Sequence, residues 1–453
     1  MEILNNILTW IVDLGSYIFV PILMMILGLI FGLKFGRALK SGATIGIGLI
    51  GVSLVSTLTS ETLAPVIEKF VTRLNLNHLT AIDVGGGPAA AVGWGWTFSA
   101  VLIICVLITN FILVAVKLTN TINVDIYNFW YYCITAGFVH ILTNNVPLAI
   151  LAGVTHAVLG YVFADIYADR TEETLGLEGV SIPHGFAAAS APLFMVLDKI
   201  YDKIPFFDHG KDDSESSDMN PILKGVSTVF GDRIYLGLLL GLIFGLVAGY
   251  DFKGVLDVTL KMAAMLQLFP TMVNFIVQGL MPISNQAQAF FTKRFEGRKL
   301  SIGLDSAVTI GHPLTQTVGA IMIPLFMVGA AIIPGNSLVP LGEVPFAAFY
   351  ICFATIIHRA NKRRTLVSGL LFIPIVLLIG TWSAPLFNKL AASQGLTFVG
   401  EGQQATTMAL GNLFVWLPTN IATLGWIGGA VMILIMAVAL IFNRKFLVKH
   451  NKI

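Results

Sequence analysis

Charged residues are scarce in this chain. Asp, Glu, Lys and Arg make up 11% of the 453 residues, whereas a soluble domain usually carries about 25%. Hydrophobic residues account for 56% of the chain, and the mean hydropathy is +0.83. This composition excludes a water-soluble globular protein. The net charge of +2 also leaves no basic excess, so we expect no nucleic-acid partner.

Cysteine is rare as well, and familiar catalytic motifs are missing. Cys105, Cys133 and Cys352 lie in apolar stretches without metal-ligand spacing, so we expect buried small side chains and neither a metal nor another cofactor. Residues 84–87 lack the Lys-Ser/Thr ending of a phosphate loop. Any phosphorylation linked to this chain therefore needs a second polypeptide. The N-terminus has no basic region and no cleavage site, which argues against a removable signal peptide.

Long apolar runs fill most of the sequence. About 20 apolar residues cross the hydrocarbon core of a bilayer, and runs of that kind occur at 15–33, 92–116, 131–164, 234–250, 307–341, 366–384 and 424–442. Shorter or more polar candidates are 43–60, 258–283 and 344–357. Pro147 near the middle of 131–164 predicts two helices there. The sequence therefore predicts an all-α polytopic membrane protein with about 11 transmembrane helices.

Basic residues orient these spans. Four basic clusters follow apolar runs: Lys34, Arg37 and Lys40; Lys293, Arg294, Arg298 and Lys299; Arg359, Lys362, Arg363 and Arg364; Arg444, Lys445, Lys449 and Lys452. Lys and Arg collect on the cytoplasmic side, so we expect all four clusters and the C-terminus there. The N-terminal stretch carries Glu2 and Asp13 but no basic residue, which predicts an outside location.

One six-residue string occurs twice. Residues 28–33 and 241–246 both read Gly-Leu-Ile-Phe-Gly-Leu. A basic cluster beginning at Lys34 follows the first copy, whereas Asp251 follows the second with Lys253 behind it. The different flanking charges predict that the two copies cross the membrane in opposite directions. Opposite crossing is typical of the inverted repeats of transport proteins, which hold a substrate between them near the midplane of the bilayer. A chance match of common apolar residues is the alternative.

Three segments do not fit simple spans. Residues 81–96, 176–197 and 301–313 combine glycine or proline with ionisable side chains in apolar surroundings. Irregular backbone at membrane depth persists only where it is buried in protein or lines a wet cavity. We therefore expect re-entrant or broken helices around a central site. Ordinary loops outside the membrane are the alternative.

Polar side chains in apolar segments are the candidate site residues, because such groups are costly in a bilayer and mark pathways. They are Asp83, His140, Asn144, Asn145, Glu178, His184, Asp305 and His312. Carboxylates, imidazoles and amides together donate and accept hydrogen bonds, as a neutral polyhydroxylated solute requires. The near absence of Lys and Arg inside the spans argues against a phosphate site. A structural role is the alternative for each lone histidine.

The sequence resembles the galactitol-type IIC components of the bacterial phosphoenolpyruvate-dependent sugar phosphotransferase system. The matching stretches occur in family order at similar spacing: 123–130, 177–185, 248–256, 302–305 with Gly311-His312, and 358–361 with 364–366. The sequence departs from the galactitol pattern at 84–94 and 144–147, which leaves the identity of the polyol open.

The resemblance implies a fold shared with ascorbate-type IIC proteins. That fold has two inverted repeats of five helices and a final helix, forms a homodimer, and combines a V-shaped scaffold with a core that moves in an elevator motion. The implied division is 1–80 scaffold, 81–200 core, 201–233 cytoplasmic linker, 234–290 scaffold, 291–442 core with the final helix, and 443–453 basic cytoplasmic tail.

The resemblance also implies a function. The chain would carry a sugar alcohol such as galactitol across the bacterial cytoplasmic membrane. A separate cytoplasmic IIB subunit, which IIA phosphorylates, would supply the phosphoryl group from a phosphocysteine. This chain contains neither domain, so it would be the translocation subunit of a multi-component enzyme. Glu178 and His184 would be the catalytic candidates, with either one accepting the hydroxyl proton.

Three other functions stay open. An ion-coupled secondary transporter of a sugar or small organic acid would need no IIB subunit. An intramembrane enzyme would use Asp83 and Asp305 as paired acids, or His140 and His312 as metal ligands. A passive scaffold protein would leave the buried polar groups without a role.

Overall fold

A computed structural model describes most of the chain. The described residues are 16–73, 78–123, 125–210, 232–294, 298–340, 342–344, 347–399, 403–450 and 452. Two predictions fall outside them in whole or in part. Glu2 and Asp13 of the N-terminal stretch are not among the described residues, and neither is 211–231 of the expected linker.

Helices dominate the described residues. In chain order they are α1 Ser16–Ile30, α2 Phe35–Arg73, α3 Gly86–Trp94, α4 Ser99–Ala115, α5 Trp130–Thr143, α6 Val146–Leu175, α7 Ala187–Tyr201, α8 Arg233–Val247, α9 Phe252–Arg294, α10 Ala307–Ile310, α11 Pro313–Ile332, α12 Ala348–Ile357, α13 Lys362–Ala392, α14 Leu413–Ala422 and α15 Trp426–Lys449. Short 3-10 turns occupy Ile126–Phe129, Pro205–Gly210 and Met408–Leu410.

Six short strands correct the prediction of an all-α protein. They are β1 Ala81–Asp83, β2 Thr121–Asn123, β3 Val180–Ser181, β4 Ser301–Gly303, β5 Leu338–Val339 and β6 Gln404–Thr406. All their pairings are parallel. Strands of two or three residues are too short to show a period-two pattern, so the sequence gives no signal for them. The three irregular segments expected above each contain one of these strands.

The strands form two sheets that share a design. Sheet I has the order β5–β1–β6, and sheet II has the order β2–β4–β3. The central strand of each sheet therefore comes from one half of the chain, and both flanking strands come from the other half. Exchanging the first three strands for the last three converts one sheet into the other.

The first helices of the two halves also correspond. Helices α1 and α8 each have 15 residues and precede helices of 39 and 43 residues. Gly32 and Gly249 have φ angles of 97° and 73° and occupy the same place between the helices. Relative to the helix ends, the repeated strings 28–33 and 241–246 are offset by about one turn. The repeated strings therefore do not occupy equivalent positions in the two pairs of helices, and the inverted repeat stays a prediction.

Close packing joins the two long helices, α2 and α9. A Cβ atom at Gly48 would lie 2.6 Å from Ile276 Cγ1 and 2.9 Å from the Met272 carbonyl oxygen. A Cβ atom at Gly279 would lie 2.7 Å from the Ser41 carbonyl oxygen. Small residues at such crossings let helix backbones approach each other.

Four described helices are long and apolar enough to cross a membrane: α6, α11, α13 and α15. Five shorter apolar helical stretches accompany them, in α4, α8, α9, α12 and α14. The predicted division of 131–164 is confirmed, because α5 ends at Thr143 and α6 begins at Val146 with Pro147 in its first turn. The total of about 11 spans stays a prediction.

The crossing of α2 and α9 gives a direct test. We expect Gly48→Ala to destabilise the protein by about 2 kcal/mol, because the added methyl group overlaps backbone atoms of α9. Gly36→Ala in the same helix has no atom within 4 Å of the new Cβ and should be neutral or stabilising by up to about 1 kcal/mol. Thermal unfolding in detergent measures both, and equal midpoints would contradict the packing.

Candidate functional site

The parallel strands of sheet II bring three ionisable side chains together. Asp125 follows β2, Asp305 follows β4, and His184 follows β3. The carboxyl ends of parallel strands meet at one edge of a sheet, so these residues converge. Their oxygen and nitrogen atoms lie within 4.8 Å of one another, and all three residues are buried.

Asn128 bridges the two carboxylates. Its amide nitrogen donates hydrogen bonds to an oxygen of Asp125 at 2.8 Å and to Asp305 Oδ2 at 2.8 Å. The other Asp305 oxygen accepts from the Ala307 backbone N–H at 2.8 Å. A single amide group therefore holds the two neighbouring carboxyl groups in place through its N–H bonds. Asp125, Asn128, His184 and Asp305 are called the carboxylate cluster below.

The hydrogen bonds of His184 fix its tautomer. Nδ1 accepts from the backbone N–H groups of Phe186 at 3.2 Å and Ala187 at 3.1 Å. The neutral ring therefore carries its proton on Nε2, which faces Asp305 Oδ1 at 3.8 Å. The cluster has enough donor atoms for a metal ion, but binding through Nε2 would need the opposite tautomer. The geometry favours a hydrogen-bonding site.

Aromatic rings surround the imidazole of His184. Tyr131 contacts it edge-on at 5.3 Å between centroids, and Phe349 stacks at 6.4 Å. Trp130 stacks on Tyr131 at 3.7 Å. Small-molecule sites combine aromatic walls with a few fixed polar groups in this way.

Sheet I carries a second pair of acids, Asp83 and Glu343, at its matching edge. Asp83 accepts from the backbone N–H groups of Gly85 at 2.9 Å and Glu343 at 2.8 Å. The Tyr350 hydroxyl donates to Glu343 Oε2 at 2.6 Å, and the Thr407 hydroxyl lies beside both carboxylates. Both members of this acid pair are buried, and their carboxylate oxygens accept hydrogen bonds from protein groups.

Three predicted site residues lie at the turn between α5 and α6. His140 Nδ1 accepts from Trp96 Nε1 at 3.3 Å. Asn144 is exposed and ends α5 in the left-handed region, with φ of 50°. Asn145 caps α6 by accepting from the Leu148 N–H at 3.0 Å. Local hydrogen bonds thus account for much of this turn, and substrate contact by the three residues stays a prediction.

The two remaining predicted residues also stand apart from the carboxylate cluster. His312 caps α11, because its Nδ1 accepts from the Leu314 N–H at 3.2 Å. Glu178 is exposed in the turn before β3 and makes no hydrogen bond or ion pair with the described part of the chain. The structure therefore joins His184 and Asp305 among the predicted residues, while Asp83 belongs to the acid pair. Roles for Glu178 and His312 stay predictions.

The intramembrane-enzyme alternative requires Asp83 to pair with Asp305, or His140 to share a metal ion with His312, and the structure shows other partners for these residues. Asp83 lies beside Glu343, and Asp305 lies beside Asp125. His140 and His312 use Nδ1 for different local donors. The sequence-based search for site residues missed Asp125 and Glu343. Asp125 lies within 123–130, one of the stretches that match the family, and that match could have marked it as a candidate site residue.

A charged hub joins four helices away from the carboxylate cluster. Asp198 of α7 accepts from Arg170 of α6 at 3.1 Å and Arg364 of α13 at 3.0 Å. His358, which follows α12, donates from Nδ1 to Asp198 at 2.8 Å and accepts at Nε2 from the Ser368 hydroxyl at 2.8 Å. Arg170, Asp198, His358 and Arg364 therefore tie the ends of these helices together.

Burial and charge shift the pKa values within this hub. Burial raises the pKa of Asp198, but the hydrogen bond and charge of His358 and the guanidinium of Arg170 outweigh burial and hold it at about 2. Burial lowers the pKa of His358 below its ordinary value of 6.5, against the opposing effect of Asp198. The imidazole is therefore neutral at pH 7 and donates from Nδ1.

Comparison with known proteins gives consistent matches. Residues 10–402 match the family EIIC-GAT, described as "PTS system sugar-specific permease component". The chain is 43% identical over 436 residues to a candidate permease IIC component of Escherichia coli (strain K12), covering 96% of this chain and 98% of that protein. It is 33% identical over 413 residues to the PTS system galactitol-specific EIIC component of Escherichia coli strains K12 and O157:H7, covering 91% of this chain and 90% of each relative.

The bridging amide of the carboxylate cluster can be tested directly. Asn128→Ala leaves buried carboxylate oxygens without donors, so we expect the free energy of unfolding to fall by about 2 kcal/mol or more. Asn420→Ala removes a half-buried amide that bonds only to its own helix and should change the free energy of unfolding by less than about 0.5 kcal/mol. Thermal unfolding in detergent compares them, and an unchanged midpoint for Asn128→Ala would contradict the bridge.

The charged hub predicts a pH dependence of stability. Because the pKa of His358 is lower in the folded protein, the unfolded chain binds the proton more readily, and stability is lost as the pH falls through 6.5. Asp198 adds its own loss only below its ordinary pKa of 3.8. Between about pH 7 and about pH 4.5, His358→Gln should therefore flatten the dependence of the unfolding midpoint on pH. The exposed His450→Gln should leave the slope unchanged, and equal slopes in all three proteins would refute the assignment.

Proposed function

The chain belongs to the EIIC-GAT family of sugar-specific permease components of the phosphotransferase system, and on that premise we propose that it carries a sugar alcohol across the bacterial inner membrane for phosphorylation by a separate IIB subunit. Galactitol is the first candidate, because relatives at 33% identity are named galactitol-specific. The family and the apolar helices make the chain a multi-pass inner membrane protein.

The carboxylate cluster is the proposed substrate site. It offers an unspent Nε2–H donor on His184, because 3.8 Å to Asp305 exceeds hydrogen-bonding distance. It also offers acceptor oxygens on Asp125 and Asp305. A neutral polyol needs both kinds of partner at each hydroxyl. This combination in a buried, aromatic-lined position is the observation that carries the proposal.

The same geometry supports a choice of the group that accepts the proton in the proposed transfer. A hydroxyl oxygen of the solute attacks the phosphorus held by the IIB phosphocysteine, the O–P bond forms, and the S–P bond breaks. The hydroxyl proton passes to a carboxylate, for which Asp305 is our choice. Glu178 and His184 were the sequence-based choices, but the Nδ1 of His184 already accepts two backbone N–H groups. His184 therefore acts as a donor that orients the substrate.

The proposed transport cycle uses two inverted halves, with the N-terminus outside and the C-terminus in the cytoplasm. The exchange relation between sheets I and II supports the two-fold repeat. The close crossing of α2 and α9 supports a rigid scaffold on which a core could slide in an elevator motion, within a homodimer. The basic residues near Lys293 and Arg359 would face the cytoplasmic IIB subunit.

A reconstituted assay tests this function. Membrane vesicles holding the protein receive phosphoenolpyruvate, the general phosphotransferase proteins, IIA, IIB and radiolabelled galactitol. We expect phosphorylated galactitol, and a loss of about 100-fold in Asp305→Asn, since general base catalysis contributes at least that factor. Asp257→Asn alters an exposed carboxylate paired to Lys261 within α9 and should retain the wild-type rate.

Three outcomes would change the proposal. A normal rate in Asp305→Asn would remove the carboxylate cluster from the reaction. Loss in Glu178→Gln with normal Asp305→Asn would restore the sequence-based assignment. Uptake that needs no IIB subunit and is abolished by a protonophore would establish the ion-coupled alternative instead.

A further inference from the structure

A groove beside the last turns of α15 lies apart from the carboxylate cluster and the acid pair. This open groove has a volume of about 430 Å³ and is lined by Leu118, Ile441, Arg444, Lys445, Val448 and Lys449. These six residues define the basic groove. Three of them are cations and three are aliphatic, and the proposed transport reaction uses none of them.

One face of α15 supplies most of the groove. Ile441, Arg444, Lys445 and Val448 follow the spacing of residues that share a helix face. Asn443 points elsewhere and fixes the wall, because its buried amide donates to the Leu118 carbonyl at 2.9 Å and to Asp165 at 2.6 Å. These hydrogen bonds hold α15 against Leu118 and Asp165, so packed protein defines the shape of the groove.

Within the described part of the chain, the cations of the basic groove differ from their neighbours because they have no acidic partner. Lys452 pairs with Asp169 at 2.8 Å, and Lys299 pairs with Glu172 at 3.2 Å. Among the described residues, no carboxylate lies within 4.0 Å of the side-chain nitrogens of Arg444, Lys445 or Lys449. These three positive charges therefore have no compensating carboxylate among the residues that the structure describes.

An apolar track runs from these cations along α15. Leu434, Val438 and Ile441 are 62%, 59% and 56% exposed, and their spacing places them on the face that leads to the groove. In an inner membrane protein this track faces acyl chains. It therefore joins a hydrocarbon-facing surface to a cluster of positive charge at one end of a spanning helix.

We propose that the basic groove binds an anionic phospholipid. The phosphate lies among Arg444, Lys445 and Lys449, and an acyl chain follows the apolar track. Charge complementarity selects an anionic headgroup, because basic pockets at helix ends attract such lipids. The track selects a lipid over a free phosphate, which has no apolar part to bury. This assignment goes beyond the transport function and does not depend on the substrate.

Native mass spectrometry of the purified protein tests the lipid. Dioleoyl-phosphatidylglycerol is titrated against dioleoyl-phosphatidylcholine, for wild type and for a variant with Arg444, Lys445 and Lys449 all changed to Gln. Each cation near an anionic headgroup contributes about fivefold, so the triple variant should lose about 100-fold in phosphatidylglycerol affinity. Binding of phosphatidylcholine should be weak and equal in both proteins.

A matched control removes the same charge elsewhere. The triple change of Lys34, Arg37 and Lys40 to Gln neutralises an exposed cluster at the start of α2 and should leave phosphatidylglycerol affinity unchanged. If the first triple variant does not fold, Lys449→Gln in the last turn should by itself lower affinity about fivefold.

Several results would overturn the lipid assignment. Equal affinity for both lipids, or an equal loss in the control variant, would show that the groove has no headgroup preference. Displacement of phosphatidylglycerol by inorganic phosphate would assign a free anion. Unchanged lipid binding with lost phosphorylation by IIB would assign the groove to the protein partner.

Discussion

Backbone hydrogen bonding in apolar surroundings is the constraint on which this structure depends. A chain that leaves its helices inside a membrane protein must still satisfy its N–H and C=O groups. Here six strands of two or three residues pair in two parallel sheets. Because the strands of each sheet are parallel, the residues that follow them lie together at one edge of the sheet. The two pairs of buried carboxylates, Asp125 with Asp305 and Asp83 with Glu343, arise at such edges.

The two edges are built alike but closed differently. At sheet I, backbone N–H groups and the Tyr350 hydroxyl occupy the carboxylates. At sheet II, one amide bridges the carboxylates, and the His184 donor stands too far from Asp305 to be consumed. The first arrangement uses its acceptors within the protein, whereas the second leaves the hydrogen-bonding capacity that the proposed substrate would use. The same strand arrangement thus produces two chemically different edges because the local donors differ.

Local sequence signals predicted the elements that depend on local chemistry. Apolar length identified spanning helices, and Pro147 located the break between α5 and α6. Buried polarity singled out His184 and Asp305, which meet. Asp125 and the strands escaped prediction, because their partners lie in distant parts of the chain and leave no periodic pattern. Asn145 is a residue type that can bind a polar ligand, but its side chain caps its own helix. Residue type alone does not distinguish a helix cap from a ligand contact.

The interleaved strand order has a consequence for biosynthesis. The central strand β1 is made early, but one of its two partners, β6, begins at Gln404. Sheet I therefore stays incomplete until the ribosome has translated nearly the whole chain. During that interval the unpaired edges of β1 are exposed to misassembly, since open strand edges in an incompletely folded chain promote wrong pairing.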